Sequence, residues 1–366
     1  MVARWDAMAR FGGAALVAAI VLSSAACGGS TRSAAPPAGA SGSATSPTGS
    51  VTPGSGATQT AGVTPTPTAP PTLAIPTIPN IATMPTGKVI AWGDDSQAQV
   101  DVPAGLTDVV AVSAGDQFSL ALRSNGTVVA WGDDESGQTD LPVGLGGVVA
   151  ISAGGNHSLA LKADGTVVGW GDNTDGQVTT PAGLSNVVAV SAAGMHSLAL
   201  KSDGTVVAWG GDINGESDVP SGLSNVVAIS AGYDFSLALK LDGTVVAWGD
   251  KNPTDVPTNV TVVPAGLSRV KVIAAGYANC LALKSDGTIV GWGGDEDGEI
   301  DVPDSATGAV AIAAGGNFSL ALQPDGTIVA WGANDQNQTT PPQTALGVVA
   351  IDAGATHALA IVGQGS

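Results

Sequence analysis

Three histidines, His157, His196 and His357, are the side chains of this 366-residue chain that ionise near neutrality, and metal binding or proton transfer would be their chemistry. Their setting argues otherwise. Each occupies the same slot of a repeated motif, and in other copies that slot holds Phe118, Phe235, Phe318, and Cys280 or its neighbour Asn279. A position that accepts phenylalanine is a packing position. The Asp-Gly pairs at Asp164, Asp203, Asp242, Asp286 and Asp325 recur too regularly for a unique catalytic dyad, and aspartate in a turn hydrogen-bonds nearby amides. No nucleophile–base pair, metal cluster or phosphate-binding loop stands out, so neither an enzyme nor a bound cofactor is expected.

The loops after each Trp-Gly are more informative. They carry Asp94-Asp95, Asp133-Asp134-Glu135, Asp172 to Asp175, Asp212 to Glu216, Asp250, Asp295-Glu296-Asp297 and Asp335. In an antiparallel sheet the loop after the third strand lies on the same face as the loop after the first, which predicts one acidic face. Such a face is either a solvated, aggregation-resistant surface or a docking surface for a basic partner or Ca²⁺. Asp295, Asp297 and Glu299 alternate suggestively, but no loop matches a full calcium-loop pattern. The loops between first and second strands add Asn156, Met195, Tyr233, Asp234 and Tyr277, of which the two tyrosines are the best anchors for a partner. A five-residue expansion, KNPTDVPTNVTVV over 251–263, lies between them in sequence and is either drift in a connection or a specificity loop.

The elements that must position these groups are read from a repeat. Trp92, Trp131, Trp170, Trp209, Trp248, Trp292 and Trp331 are each followed by Gly, at spacings of 39, 39, 39, 39, 44 and 39. A period near 40 that contains several short strands indicates a propeller rather than a helical solenoid. Within one copy, Val148 to Gly171 holds three apolar runs with Asp164-Gly165 as a hairpin signal, and a weaker fourth strand is expected around Gln177 to Thr180. The expected fold is all-β, a seven-bladed β-propeller of four-stranded blades whose Trp residues pack between blades. The repeat region opens at Lys88 with a third-strand motif and ends near Ile361 with the first two. One composite closing blade formed by both ends would therefore clasp the ring and leave no free edge.

The composition agrees, with 52 Gly and 22 Pro against 14 aromatic residues. Residues 1–26 read as a lipoprotein-type signal peptide, with Arg4 and Arg10 ahead of an apolar stretch from Phe11 to Leu22; Met8 is an alternative start. Ser24, Ala25, Ala26 and Cys27 resemble a bacterial lipobox, which implies lipid attachment at Cys27; Ser24 stands where Leu is usual, and a secreted chain is the alternative. With Cys280 as the other cysteine, no disulfide framework is expected. Residues 27–86, rich in Pro, Thr, Ser, Ala and Gly, read as a disordered stalk open to O-glycosylation, and 87–363 as the propeller. The expected location is extracytoplasmic, at the bacterial cell membrane, with the N-terminal lipid as the sole membrane contact.

The motif Ala-Gly, two variable residues, His or Phe, Ser-Leu-Ala-Leu, then Asp-Gly-Thr-Val-Val-Ala-Trp-Gly resembles the regulator of chromosome condensation repeat family over residues 87 to 363. It is closer still to a bacterial branch that includes the seven-bladed beta-lactamase inhibitory protein, with its Val-Pro connection as at Val102-Pro103 or Val302-Pro303. The resemblance implies a propeller and two activities, guanine-nucleotide exchange beside DNA or lactamase inhibition. Charge opposes the first: beyond residue 86 stand 9 Lys and Arg against 30 Asp and Glu, which would repel nucleic acid. Sparse aromatics in the loops oppose the second. The expectation is a monomeric, non-enzymatic binding or scaffold protein that recognises a basic protein or cell-wall component through its acidic face.

Overall fold

The structure, a computed structural model, describes residues 73–250 and 259–363. Cys27, the signal segment, most of the stalk and residues 251–258 of the expanded connection lie outside the described residues. Among the described residues the fold is all-β, with two short 3-10 turns at Ile81–Thr83 and Asp304–Ala306. The first strand, β1 (Gly87–Gly93), is followed by β2 (Val109–Ala114), β3 (Phe118–Arg123) and β4 (Val128–Gly132). Next come β5 (Val148–Ala153), β6 (His157–Lys162), β7 (Val167–Gly171), β8 (Val187–Ala193), β9 (His196–Lys201) and β10 (Val206–Gly210). The remainder are β11 (Val226–Ala231), β12 (Phe235–Lys240), β13 (Val245–Gly249), β14 (Val270–Ala275), β15 (Asn279–Lys284), β16 (Ile289–Gly293), β17 (Ala311–Ala314), β18 (Phe318–Leu322), β19 (Ile328–Gly332), β20 (Val348–Ala353) and β21 (His357–Gly363).

Pairing gives five three-stranded antiparallel sheets and one six-stranded sheet, β20-β21-β1-β2-β3-β4, whose β1–β2 joint divides it into two more such units; of these seven units all but one are built from strands consecutive in sequence. The exception is β20-β21-β1, in which β1 pairs with β21 over seven residues from Gly87↔Gly363 to Gly93↔His357. The two ends of the repeat region thus share one unit, as the phase of the repeat predicts. A single bridge, Gly87↔Val109, ties that unit to β2. Each first strand touches the first strand of the next unit, and β20 touches β2, so the seven first strands form a closed ring.

Among the described residues the expected fourth strand is absent. Gln177 to Thr180 is a turn, and the reason is local: Gln177 Nε2 donates to Asp172 Oδ2 at 2.8 Å, and Asp175 N donates back to Gln177 Oε1 at 3.0 Å. These bonds curl the segment before it can extend. The curled segment nevertheless joins neighbouring units, because its backbone carbonyl accepts from the next repeat. Gln138 O accepts from Ser158 Oγ at 3.0 Å and Trp170 Nε1 at 2.9 Å, and the pattern recurs at Gln99, Gln177, Glu216 and Glu299. At Val260 the pair is Cys280 Sγ and Trp292 Nε1. Trp92 Nε1 donates to Gln338 O at 2.9 Å and repeats the bond across the closing unit.

Each Trp is buried against the preceding unit: Trp170 packs with Phe118 and Leu120, and Trp131 with Leu359 and Ile361 of the closing unit. The glycine after it is required by shape. Gly132 has φ +105°, and a Cβ there would stand 2.7 Å from Gln117 O and from Phe118 Cα.

One stretch assigned to the stalk is packed instead. Leu73 is buried, and Ile75, Ile78, Ile81 and Met84 lie against the cores of the second to fifth units in chain order from β2 and their neighbours. From Ile75 onward these residues recur every third position among Pro76, Pro79 and Pro85, a period shared by a polyproline helix and by the 3-10 turn at Ile81–Thr83, which keeps them on one side of the segment. The proline-rich composition that suggests a free stalk therefore conceals an apolar stripe with a surface to cover.

Candidate functional site

The loop face is built by the backbone. The first amide after each Trp-Gly donates to a carbonyl in the loop between that unit's first and second strands: Asp133 N to Gln117 O, Asp172 N to Asn156 O, and Asp250 N to Asp234 O, each at 2.9 Å. The two sets of loops do share a face. The carboxylates fold their own loops as well. Asp133 Oδ2 accepts from Gln138 Nε2 at 2.7 Å, its Oδ1 accepts from Glu135 N, and Asp134 Oδ1 accepts from Thr139 N. Glu299 is buried with its carboxylate on Asp297 N, while Asp297 Oδ2 accepts from Asn317 Nδ2 at 2.9 Å. Among the described residues no group of three His, Cys, Asp or Glu side chains is arranged to hold a metal.

The described basic residues keep to the opposite side. The ion pairs among the described residues are Arg123–Asp108, Lys162–Asp164, Lys201–Asp203, Lys240–Asp242 and Asp286 with Arg269 and Lys284. All lie where second strands end or first strands begin. There the Asp-Gly turns behave as expected: Asp164 Oδ1 accepts from Thr166 Oγ1 and Thr166 N, which holds its carboxyl below the usual range. The described Lys and Arg side chains belong to strand ends and turns of this side, and the loop face carries carboxylates without them.

At the centre of the loop face the Ala-Gly segments of all seven units surround a narrow cavity of about 40 Å³. Three larger side chains reach it, Asp116, Tyr233 and Tyr277. The tyrosine rings stack, with centroids 3.9 Å apart and planes 23° from parallel. Their backbones are fixed by the next unit, Tyr233 N donating to Gly276 O and Tyr277 N to Gly315 O. Burial, then the hydrogen bond that its hydroxyl donates to Tyr233 and the nearby Asp116 carboxylate, push the Tyr277 hydroxyl well above its usual pKa. Burial pushes Asp116 up to about 6. A second cavity of about 510 Å³ shares Tyr277 and runs past Asp297, Asn317 and Asp335 to Thr356.

Of the residues singled out from sequence, Tyr233 and Tyr277 meet, with Asp234 beside them, and Asp297 lies along the adjoining cavity. Asn156, Met195, Asp133, Asp134, Glu135 and Asp295 stand on the same face without lining either cavity. Asp116 belongs to the mouth through its position in the same loops, although it is not aromatic.

Two buried polar seams escaped the sequence reading. His157 Nε2 lies 3.0 Å from Ser197 Oγ, whose own proton goes to Gln177 O, so Nε2 carries the imidazole proton and Nδ1 is left without a partner. His196 with Ser236, and His357 with Ser119, repeat this across other unit boundaries. The ring fits because Gly154 lies beneath it; a Cβ there would be 2.5 Å from His157 Cε1. The second seam is Ser113, Ser152, Ser191 and Ser230, each accepting an alanine amide of the next unit. At the closing boundary Asp352 takes this place, accepting from Ala114 N at 2.9 Å. Its signal is the change from Ser to Asp in VVAIDAG.

The regulator of chromosome condensation (RCC1) repeat is matched at residues 109–138, 148–177, 226–252, 270–299 and 309–338. This chain belongs to the RCC1 repeat family. Solved structures agree on the RCC1 propeller. Prp20p of Saccharomyces cerevisiae, described with its binding to Gsp1p and histones, is similar with a TM-score of 0.63 and 18% identity over 78% of this chain and 93% of that one. Human WBSCR16 gives 0.59 and 18% over 76% and 100%. The ectodomain of the Physcomitrella patens receptor kinase CR4 gives 0.55 and 23% over 66% and 68%. No curated protein sequence matches the chain. At these identities the likeness concerns the fold.

Proposed function

We propose that this RCC1 propeller is a non-enzymatic binding or scaffold protein, anchored at the cell surface through Cys27, that recognises a basic protein or envelope component by its acidic loop face. One observation carries the reading: the described cations gather on one side of the ring, and the backbone-held loops of the other side expose carboxylates such as Asp134, Glu135, Asp295 and Glu296. Rigid display of one sign of charge favours encounter with the opposite sign and sets partner choice. That RCC1 propellers such as Prp20p bind proteins supports a protein partner.

The test is charge neutralisation on exposed loop positions. Glu135→Gln, Glu296→Gln and Asp297→Asn together should weaken capture of a purified cationic polypeptide several-fold at low ionic strength. The wild-type chain should lose the same binding as salt shortens the screening length to about 8 Å. Binding that ignores both salt and these substitutions would end the reading.

A further inference from the structure

We infer that the mouth of the central cavity, between Asp116 and the stacked Tyr233 and Tyr277, is a subsite for the ammonium group of a lysine side chain from the partner. The inference rests on the proposed recognition of a basic partner and names the chemistry of its anchor. Asp116 is the one carboxylate among the residues lining the cavity, and its oxygens accept no hydrogen bond and form no ion pair among the described residues. Its loop belongs to the unit that starts at β2, whereas the tyrosines come from the units of β11 and β14, across the ring. A group entering the mouth therefore meets a carboxylate on one side and an aromatic stack on the other. Asp234 adds a second negative charge close to Tyr277.

Size and donor count select the ligand. A cavity of about 40 Å³ walled by alanine and glycine admits a compact head on a thin stem and excludes a ring. A divalent metal would demand six or more oxygens, and a single carboxylate beside two phenols does not supply them. A guanidinium presents five donors, but the carbonyls of Gly194, Gly276, Gly315 and Gly354 already accept amides from neighbouring units. An ammonium needs fewer acceptors and gains from an aromatic surface. The rest of the partner's chain would leave by way of Tyr277 into the cavity of about 510 Å³, where Asp297 and Asp335 can meet a second positive charge.

The experiment is calorimetric titration of the full chain with a capped tetralysine peptide and with its arginine counterpart. Asp116→Asn keeps the shape and breaks no intramolecular hydrogen bond, so it should fold as wild type while weakening the lysine peptide about ten-fold. Tyr277→Leu should do likewise, and the arginine peptide should bind less well to wild type. Undiminished lysine binding by Asp116→Asn would overturn the subsite; if the neutralised loop variant then lost binding, the acidic-face reading would survive. Equal binding of the arginine peptide would overturn the lysine assignment. Failure of the wild-type chain to bind either peptide would overturn both.

Discussion

Deletion of residues 347–366 is expected to abolish cooperative folding of the entire ring, rather than to trim one unit from it. The deletion removes β20 and β21, and with them the seven-residue partner of β1, leaving β1 held by the single bridge Gly87↔Val109. It removes Asp352, whose carboxylate receives Ala114 N across the closing boundary, and His357, which meets Ser119 there. Val348, Ile351, Leu359 and Ile361 are all at most 1% exposed. At about 2 kcal/mol for each buried side chain, their loss alone approaches the 5–15 kcal/mol that typically separates folded from unfolded chains. The cost is shared by the units on both sides, since Trp131 loses the surface it packs on and the unit of β17–β19 loses its neighbour. Circular dichroism during heating measures it. The truncated chain should show no sharp transition; a single cooperative melt near that of the full chain would mean the ends do not clasp the ring.

Acid should destabilise the fold well above the usual range for carboxylate protonation, because three histidines are buried neutral. Burial lowers His157 to about 4, His196 to about 3 and His357 to about 4, against 6.5 for an ordinary histidine. Between these values the unfolded chain takes up protons that the native chain refuses. The stability they contribute is therefore complete above about pH 6.5 and is lost as pH falls toward 4, by about 1.4 kcal/mol per pH unit for each histidine. Asp116, raised to about 6, acts in the opposite direction and offsets part of this loss. The same slot in other units shows how to remove the effect. Phe118, Phe235 and Phe318 sit over Gly115, Gly232 and Gly315 as His157 sits over Gly154. His157→Phe, His196→Phe and His357→Phe combined should leave the fold intact at pH 7 and flatten the dependence of the urea midpoint on pH between 6.5 and 4. Parallel curves for wild type and triple variant would show that these rings do not govern acid stability.

The propeller was legible because its signals are repeated and local. Trp-Gly, Asp-Gly-Thr and Ala-Gly each fix one turn or one contact, and repetition at 39 residues leaves little choice of how the strands meet. The fourth strand failed because Gln177 and Asp172 look like loop and strand-end residues in isolation, and only the fold reveals that they bind each other. The histidine slot is legible as a packing position, but its hydrogen bond to a serine 40 residues onward lies between units and leaves no mark within one copy. The packed segment from Leu73 to Met84 was hidden by composition, since proline and threonine outweighed a stripe of isoleucines that only a three-residue period exposes. At the candidate site the tyrosines were visible as the aromatic members of an otherwise small loop set. Asp116 was not, since its importance comes from standing across the ring from them.

Display of an intact loop face depends on closure of the ring, and the indole protons of the tryptophans report on it directly. Trp92 Nε1, on the N-terminal strand of the closing unit, donates to Gln338 O of the segment after β19, as Trp131, Trp170, Trp209, Trp248, Trp292 and Trp331 donate to the segments before them. Native-state hydrogen exchange followed by NMR should find the Trp92 indole proton as protected as the other six, exchanging only when the whole ring unfolds. Exchange of Trp92 orders of magnitude faster than that of its six counterparts would show that the ring opens where its ends meet, contrary to a closed propeller.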